Sequence, residues 1–227
     1  MRSWGWAEHP IGILVAMPYL RGFRRHWSPE WSPLGYMLDS GAFSAWKSGK
    51  PTDIDALIEE AKRPPWTEVV GLDVIGSAEG TRRNMDTMRA RGCAAMPVFH
   101  HGDPMEFLDY YCEHWDKVGI SCRFGESRAE SVRFVEQCFA RAWPHRFHSF
   151  GWTEPAMLRS VPFHSADSST WKAASEKFNN ACVGPDLRQI HCGRRPAAGE
   201  FARYHVRKYS DLHVELAERW RKELAKL

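Results

Sequence analysis

Met37-Leu38-Asp39-Ser40-Gly41-Ala42-Phe43-Ser44-Ala45-Trp46 begins as the end of a short apolar run and turns at once to a carboxylate, a hydroxyl and a glycine. A buried strand that closes on such a cluster places it at the mouth of a parallel sheet, where α/β folds keep their chemistry. Pro162-Phe163-His164-Ser165-Ala166-Asp167-Ser168-Ser169-Thr170-Trp171 echoes the pattern. Val69-Val70-Gly71-Leu72-Asp73-Val74-Ile75-Gly76 repeats it between the two. Three apolar runs, then, each close on an aspartate.

Outward from these stretches, apolar runs alternate with helical periodicities. Ile11 to Met17 is continuous apolar sequence that stops at Pro18, as a buried parallel strand does. Arg21 to Arg25, with His26 and Trp27, read as a basic and aromatic loop, either solvated with one packed tryptophan or in contact with phosphate. Thr52 is expected to cap a helix through about Ala61, with Ile54, Leu57, Ile58 and Ala61 on one face. Strands are then expected at Glu68–Leu72, Ala94–Phe99, Lys117–Ser121, Phe147–Gly151 and Val161–Ala166. Helices fall between them at Thr81–Arg91, Pro104–Trp115, Ser127–Trp143 and, briefly, Glu154–Arg159. Val183 and Ile190 mark either a weak eighth strand or a loop. Asp211–Leu227 is an amphipathic helix with Leu212, Leu216, Trp220 and Leu224 on its apolar side.

Strand, turn and helix repeated six or seven times argue for a parallel α/β sheet. The polar residues fall just after strands, the place where a (β/α)8 barrel builds its site. The expected fold is a compact TIM-like (β/α)8 barrel, closed or incomplete, in one domain over residues 1–227, ending in the C-terminal helix. A doubly wound open sheet is the rival. It would usually carry a Gly-rich first turn, and Pro18-Tyr19-Leu20 is no such turn.

The chain has 227 residues, 43% hydrophobic and 26% charged, the balance of a soluble globular domain. Its formal net charge of +3 permits contact with a polyanion without demanding it. Eleven tryptophans serve mainly core and rim packing, though a groove that stacks bases would use some. The six cysteines form no CxxC pair and read as free thiols, which points to the reducing cytosol. Trp4, Gly5, Trp6 and Glu8 break any signal-peptide core, and no run of 18 apolar residues would span a membrane.

Asp39, Asp73 and Asp167 are the candidates for chemistry. Two carboxylates facing one ligand can divide labour, one stabilising or attacking a cationic sugar carbon while the other moves a proton. A third can accept hydrogen bonds from the N–H donors of a base edge. Each alone could equally be a turn or capping aspartate. His100 and His101 leave a strand in opposite directions, so they do not bind one ion, and His100 is read as a neutral pocket-lining residue. Cys182, His191, Cys192 and His205 are the one cluster worth testing as a zinc site, and their spacing matches no common motif.

Leu38-Asp39-Ser40-Gly41-Ala42-Phe43 resembles the Asp-Ser-Gly-Gly-Phe signature of tRNA-guanine transglycosylases. It is more similar to the Asp-Ser-Gly-Ala-Phe form of their short DNA-directed relatives, the DpdA-type proteins of phages and bacterial islands, which insert 7-deazaguanines. Gly71-Leu72-Asp73 sits where that family carries its base-reading aspartate, and Ser165-Ala166-Asp167-Ser168 where it carries its nucleophile. Order and rough spacing agree over residues 11 to 172.

The resemblance implies a (β/α)8 barrel that exchanges guanine for a 7-deazaguanine such as preQ0 in a polynucleotide without breaking the backbone. Asp167 would attack C1′ and hold the sugar covalently, Asp39 would handle the proton of the base, and Asp73 would read its edge. Ser40, Gly41, Phe43, His100 and Ser165 would complete the substrate pocket. Arg21, Arg24, Arg25, Arg194 and Arg195 would rim it against phosphates. The tRNA enzymes bind zinc through Cys-x-Cys-x-x-Cys and a later His, and this shorter chain lacks that motif. DNA is therefore the expected polymer before tRNA, with no metal or cofactor, in a bacterial or phage-infected cytoplasm, alone, as a homodimer or with accessory subunits. Hydrolysis of an N-glycosidic bond, or binding of nucleic acid by an inactive barrel, are the other functions this pattern allows.

Overall fold

The apolar runs become parallel strands and the segments after them helices in a computed structural model of the chain, which describes residues 11–122, 125–169, 181–183, 189–191 and 200–226. Strands β1 (Ile13–Ala16), β2 (Tyr36–Asp39), β3 (Glu68–Val70) and β4 (Ala95–Met96) form a four-stranded sheet in chain order, with every pairing parallel. Strands β5 (Val98–His100), β6 (Lys117–Ser121), β7 (Arg146–Phe150) and β8 (Ser165–Ala166) form a second sheet, again in chain order, with β5–β6 and β6–β7 parallel.

The single strand expected over Ala94–Phe99 is two, separated only by Pro97. Proline has no N–H, so the ladder breaks there while the chain runs on. On one side, the Met96 carbonyl accepts from the Gly71 N–H at 2.8 Å. On the other, the Pro97 carbonyl accepts from the Gly119 N–H at 2.8 Å. Residues 95–100 thus serve both sheets, and the strand carrying His100 continues directly from β4, the neighbour of β3. Each sheet keeps its strands in sequence, without the reversal of a doubly wound fold. Among the described residues no pairing brings β8 back to β1.

The helices are α1 (Leu20–His26), α2 (Ala42–Ser48), α3 (Ile54–Ala61), α4 (Ala78–Ala90), α5 (Met105–His114), α6 (Arg128–Ala142), α7 (Pro155–Ser160) and α8 (Glu200–Leu224). The basic loop expected at Arg21–Arg25 is the helix α1, held to the body by Arg24. Asp53, not Thr52, caps α3, accepting from the Asp55 and Ala56 N–H groups. The Thr52 hydroxyl instead donates to the Ser40 carbonyl at 3.2 Å and ties α3 to the end of β2. Ser127 and Glu130 form a reciprocal capping box at the start of α6.

Alternation along the strands creates two apolar surfaces. Leu38, Val69 and Ala95 face Leu57 and Ile58 of α3 and Met85 and Met88 of α4, all buried. The opposite side gathers Val70, Met96 and Val98, with Met37 and Phe150 packed against them. Two glycines permit close approach. A Cβ on Gly71 would fall into Met85, and one on Gly119 into the ring of Phe150.

The chain divides into two units. Gly12–Phe150 with Phe163–Ser165 is one, and among the described residues Ile11, Gly151–Pro162 and those from Ala166 onward belong to the other. In the latter, β9 (Ala181–Val183) and β10 (Gln189–His191) pair antiparallel as a two-stranded ribbon, where the sequence allows a weak eighth strand or a loop. There too, Arg159 of α7 grips both Glu215 oxygens of α8 at 2.6 and 2.8 Å, and the Trp220 N–H donates to the Leu158 carbonyl at 3.2 Å. Helix α8 starts well before the expected Asp211, and Leu224, expected on its apolar side, is exposed.

Candidate active site

The ends of β2, β3 and β5 bring three of the expected residues together. Asp73 follows β3 by way of Gly71 and Leu72, and His100 closes β5. Their side chains meet at 2.8 Å, His100 Nε2 to Asp73 Oδ2, with 9% of the Asp73 and 16% of the His100 side chain exposed. Ser40 Oγ stands 3.5 Å from the other oxygen, Asp73 Oδ1, at the outer limit of a hydrogen bond. A nearly buried carboxylate thus has a polar group at each oxygen, and an imidazole with Nε2 protonated would hold it as an acceptor.

The supporting residues explain why the pair is fixed. Asp103 turns back from the loop after β5 to accept the His100 backbone N–H at 3.1 Å. Burial raises the carboxyl of Asp103 above its usual range, while the His100 N–H pulls it down. Asn84 of α4 donates to the Leu72 carbonyl at 2.9 Å, and Thr81 accepts from the Val74 N–H at 2.8 Å, which pins the chain on both sides of Asp73. Asp103 reads in the sequence only as the residue opening a helix. Its return to His100 could be found there only as an aspartate three residues after the strand end, an ordinary turn spacing.

Asp39 ends β2 in register with Ala16, half-buried. Gly41 follows with a φ of +75°, a conformation glycine adopts freely, and a Cβ there would lie 2.6 Å from Pro18 Cδ. Phe43 stands exposed on α2. His148 Nδ1 lies 2.8 Å from Ser165 Oγ, an expected pocket residue, with His148 almost fully buried. Asp167 belongs to the other unit, where one of its oxygens accepts the Gly151 N–H at 3.1 Å.

The two adjacent histidines do diverge. His101 turns away to Glu126, stacks on Phe134 at 4.6 Å between ring centres, and Glu126 also accepts from Ser131 at 2.5 Å. This His–Glu–Ser chain is not legible in the sequence, because Glu126 lies in a loop outside any periodic pattern.

The basic residues divide. Arg21 and Arg25 are exposed on α1. Arg24 is bound to Glu60 and the Pro64 carbonyl and lies 5.4 Å from the centre of the Trp66 ring, so its guanidinium holds α1 to the end of α3. Arg194 and Arg195 lie outside the described residues, as does Cys192; the side chains of Cys182, His191 and His205 are likewise outside them. Among the described residues, no group of three His, Cys, Asp or Glu side chains could hold a metal ion. No described helix is long and apolar enough to cross a membrane. Cavities of about 490 and 350 Å³ open at the opposite ends of the strands, around Cys112, Pro144 and His145, away from Asp73 and His100.

Fold and site together define an α/β protein with carboxylates, a serine and a histidine gathered where parallel strands end. Comparison with protein-family models, with curated proteins and with solved structures returns no match.

Proposed function

We propose that this protein is a base-exchange glycosyltransferase, a pentosyltransferase that replaces guanine in a polynucleotide, DNA in preference to tRNA, by a 7-deazaguanine such as preQ0. The observation that supports this most is Asp73, which His100 and Ser40 flank beside the Asp39-Ser40-Gly41 turn. A carboxylate held this way can accept from the adjacent N–H groups on a guanine-type edge. We take the sequential parallel strands as the greater part of a (β/α)8 barrel.

An Asp167 oxygen bonds to C1′ as the N-glycosidic bond breaks, and the electron pair leaves with the base, which takes a proton from Asp39. The incoming base returns its ring N–H proton to Asp39. Its nitrogen then attacks C1′ and frees the Asp167 carboxylate. Covalent capture keeps the sugar activated between the two bases, which must reach it out of the stack.

A second reading has one observation in its favour. An imidazole paired with a buried carboxylate, as His100 is with Asp73, is suited to activating water, so the same site could hydrolyse the N-glycosidic bond. Incubation with labelled preQ0 or guanine and either DNA or tRNA separates the readings. Exchange labels the polymer, DNA first, whereas hydrolysis releases free base with no incorporation. Neither outcome, with binding retained, would leave an inactive nucleic-acid-binding barrel. Asp167→Asn should abolish any trapped enzyme–polynucleotide adduct while circular dichroism stays unchanged, and near-normal exchange in that variant would move the nucleophile to Asp39.

A further inference from the structure

Exposed aromatic side chains collect where β1 and β2 end. Tyr19 is 64% exposed, in the 3-10 turn that follows β1. Phe43 and Trp46, 48% and 56% exposed, stand on α2 directly after β2. The two segments touch, because Pro18 packs against Gly41. Phe43 and Trp46 stack on each other, 6.0 Å between ring centres and 29° between planes, and Lys47 Nζ lies 5.4 Å from the centre of the Phe43 ring. Large apolar rings left in water at a strand-end rim cost free energy that a purely structural surface has no need to bear.

The charge of the same segments is one-sided. From Met17 to Thr52 the chain carries Arg21, Arg24, Arg25, Lys47 and Lys50 against Glu30 and Asp39. Arg24 is occupied by Glu60, whereas Arg21, Arg25, Lys47 and Lys50 are exposed. Aromatic faces set among cations suit a ligand with flat rings and a negative backbone. A stacked duplex hides its base faces, while an extended single strand offers them.

We propose that the rim formed by Tyr19, Trp46, Lys47 and Lys50 binds the single-stranded polynucleotide flanking the exchanged nucleotide. Bases stack on Trp46 and Tyr19, Phe43 backs the Trp46 ring, and the lysines meet phosphates. This rests on the proposed exchange reaction for the identity of the polymer.

The test is fluorescence anisotropy of the full-length protein with a labelled 15-mer single strand and with a hairpin duplex of matched length. The single strand should bind more tightly. Trp46→Ala should weaken it by roughly 5- to 150-fold, the range that one base stack supplies. Lys47→Ala with Lys50→Ala should flatten the salt dependence by about 0.7 in log–log slope for each phosphate no longer neutralised. All three positions are exposed, and an unchanged thermal unfolding curve verifies that the fold is intact. Equal binding of duplex and single strand, or no effect of Trp46→Ala, overturns the rim even if labelled base is exchanged. Strand binding that depends on Trp46 without any exchange upholds the rim and sinks the proposed reaction instead.

Discussion

At the scale of single residues, the pair Asp73 and His100 carries the most consequence. If His100 serves Asp73 by donating a hydrogen bond, His100→Ala should raise the KM for the incoming base, with a loss of about 1.5–3 kcal/mol expected of a hydrogen bond to a charged group. His100→Gln, which keeps a donor, should restore much of it. A fall in kcat that glutamine does not restore would make His100 a proton carrier instead. Asp103 behaves differently. Its folded pKa lies above its unfolded value, so the folded state binds the proton more tightly, and stability falls as pH rises from the unfolded pKa through the folded one. Asp103→Asn keeps an oxygen for the His100 N–H. It should therefore match or exceed the wild type in stability near neutral pH, and lose that advantage in acid, by denaturant titration across pH. The three aspartates are legible in the sequence because each closes an apolar run. Which of them meets His100 is not, since that depends on which strands lie side by side. Asp39 and Asp167, alike in sequence context, fall in different units.

At the scale of elements, sequence pattern places the strands well and the ends of their helices less so. Helix α1 escapes it because Arg21, Gly22, Arg24, Arg25 and His26 leave no apolar stripe of any length, and its hold comes from Arg24. Thr52 and Asp53 are both good caps, and the role falls to Asp53 because Thr52 is occupied at the end of β2. Two predictions belong here. Gly119→Ala forces a methyl against Phe150 and should cost about 1–3 kcal/mol in urea unfolding, partly recovered by adding Phe150→Leu. Ser127→Ala removes one half of the capping box on α6 and should cost about 1 kcal/mol by the same measurement.

At the scale of the whole molecule, alternation of strand and helix is enough to give a parallel α/β architecture, and among the described residues each four-stranded sheet keeps its strands in sequential order. The division into two units is not visible in the sequence, because Gly151 to Ser165 contributes to both and no composition shift marks the change. The thiols offer a reading of integrity. Burial pushes Cys112 and Cys138 up to about 12 and Cys122 to about 11, and it raises Cys93 as well. Since the thiolate is the reactive form, maleimide at about pH 8 should label these four slowly in the native protein and rapidly in denaturant, by peptide mass mapping.

Pro97 turns that chemistry into a question of cooperativity. One short run of chain, Ala95 to His100, supplies a strand to each sheet, so neither ladder can melt and leave the other an intact edge. Cys93 lies beside the first of these strands, and Cys138 sits in α6, which follows β6 of the second sheet. Across a denaturant series the two thiols should therefore become reactive at one shared midpoint, a single transition for both sheets. Separate midpoints would mean that the proline is a fault line along which the protein comes apart in halves.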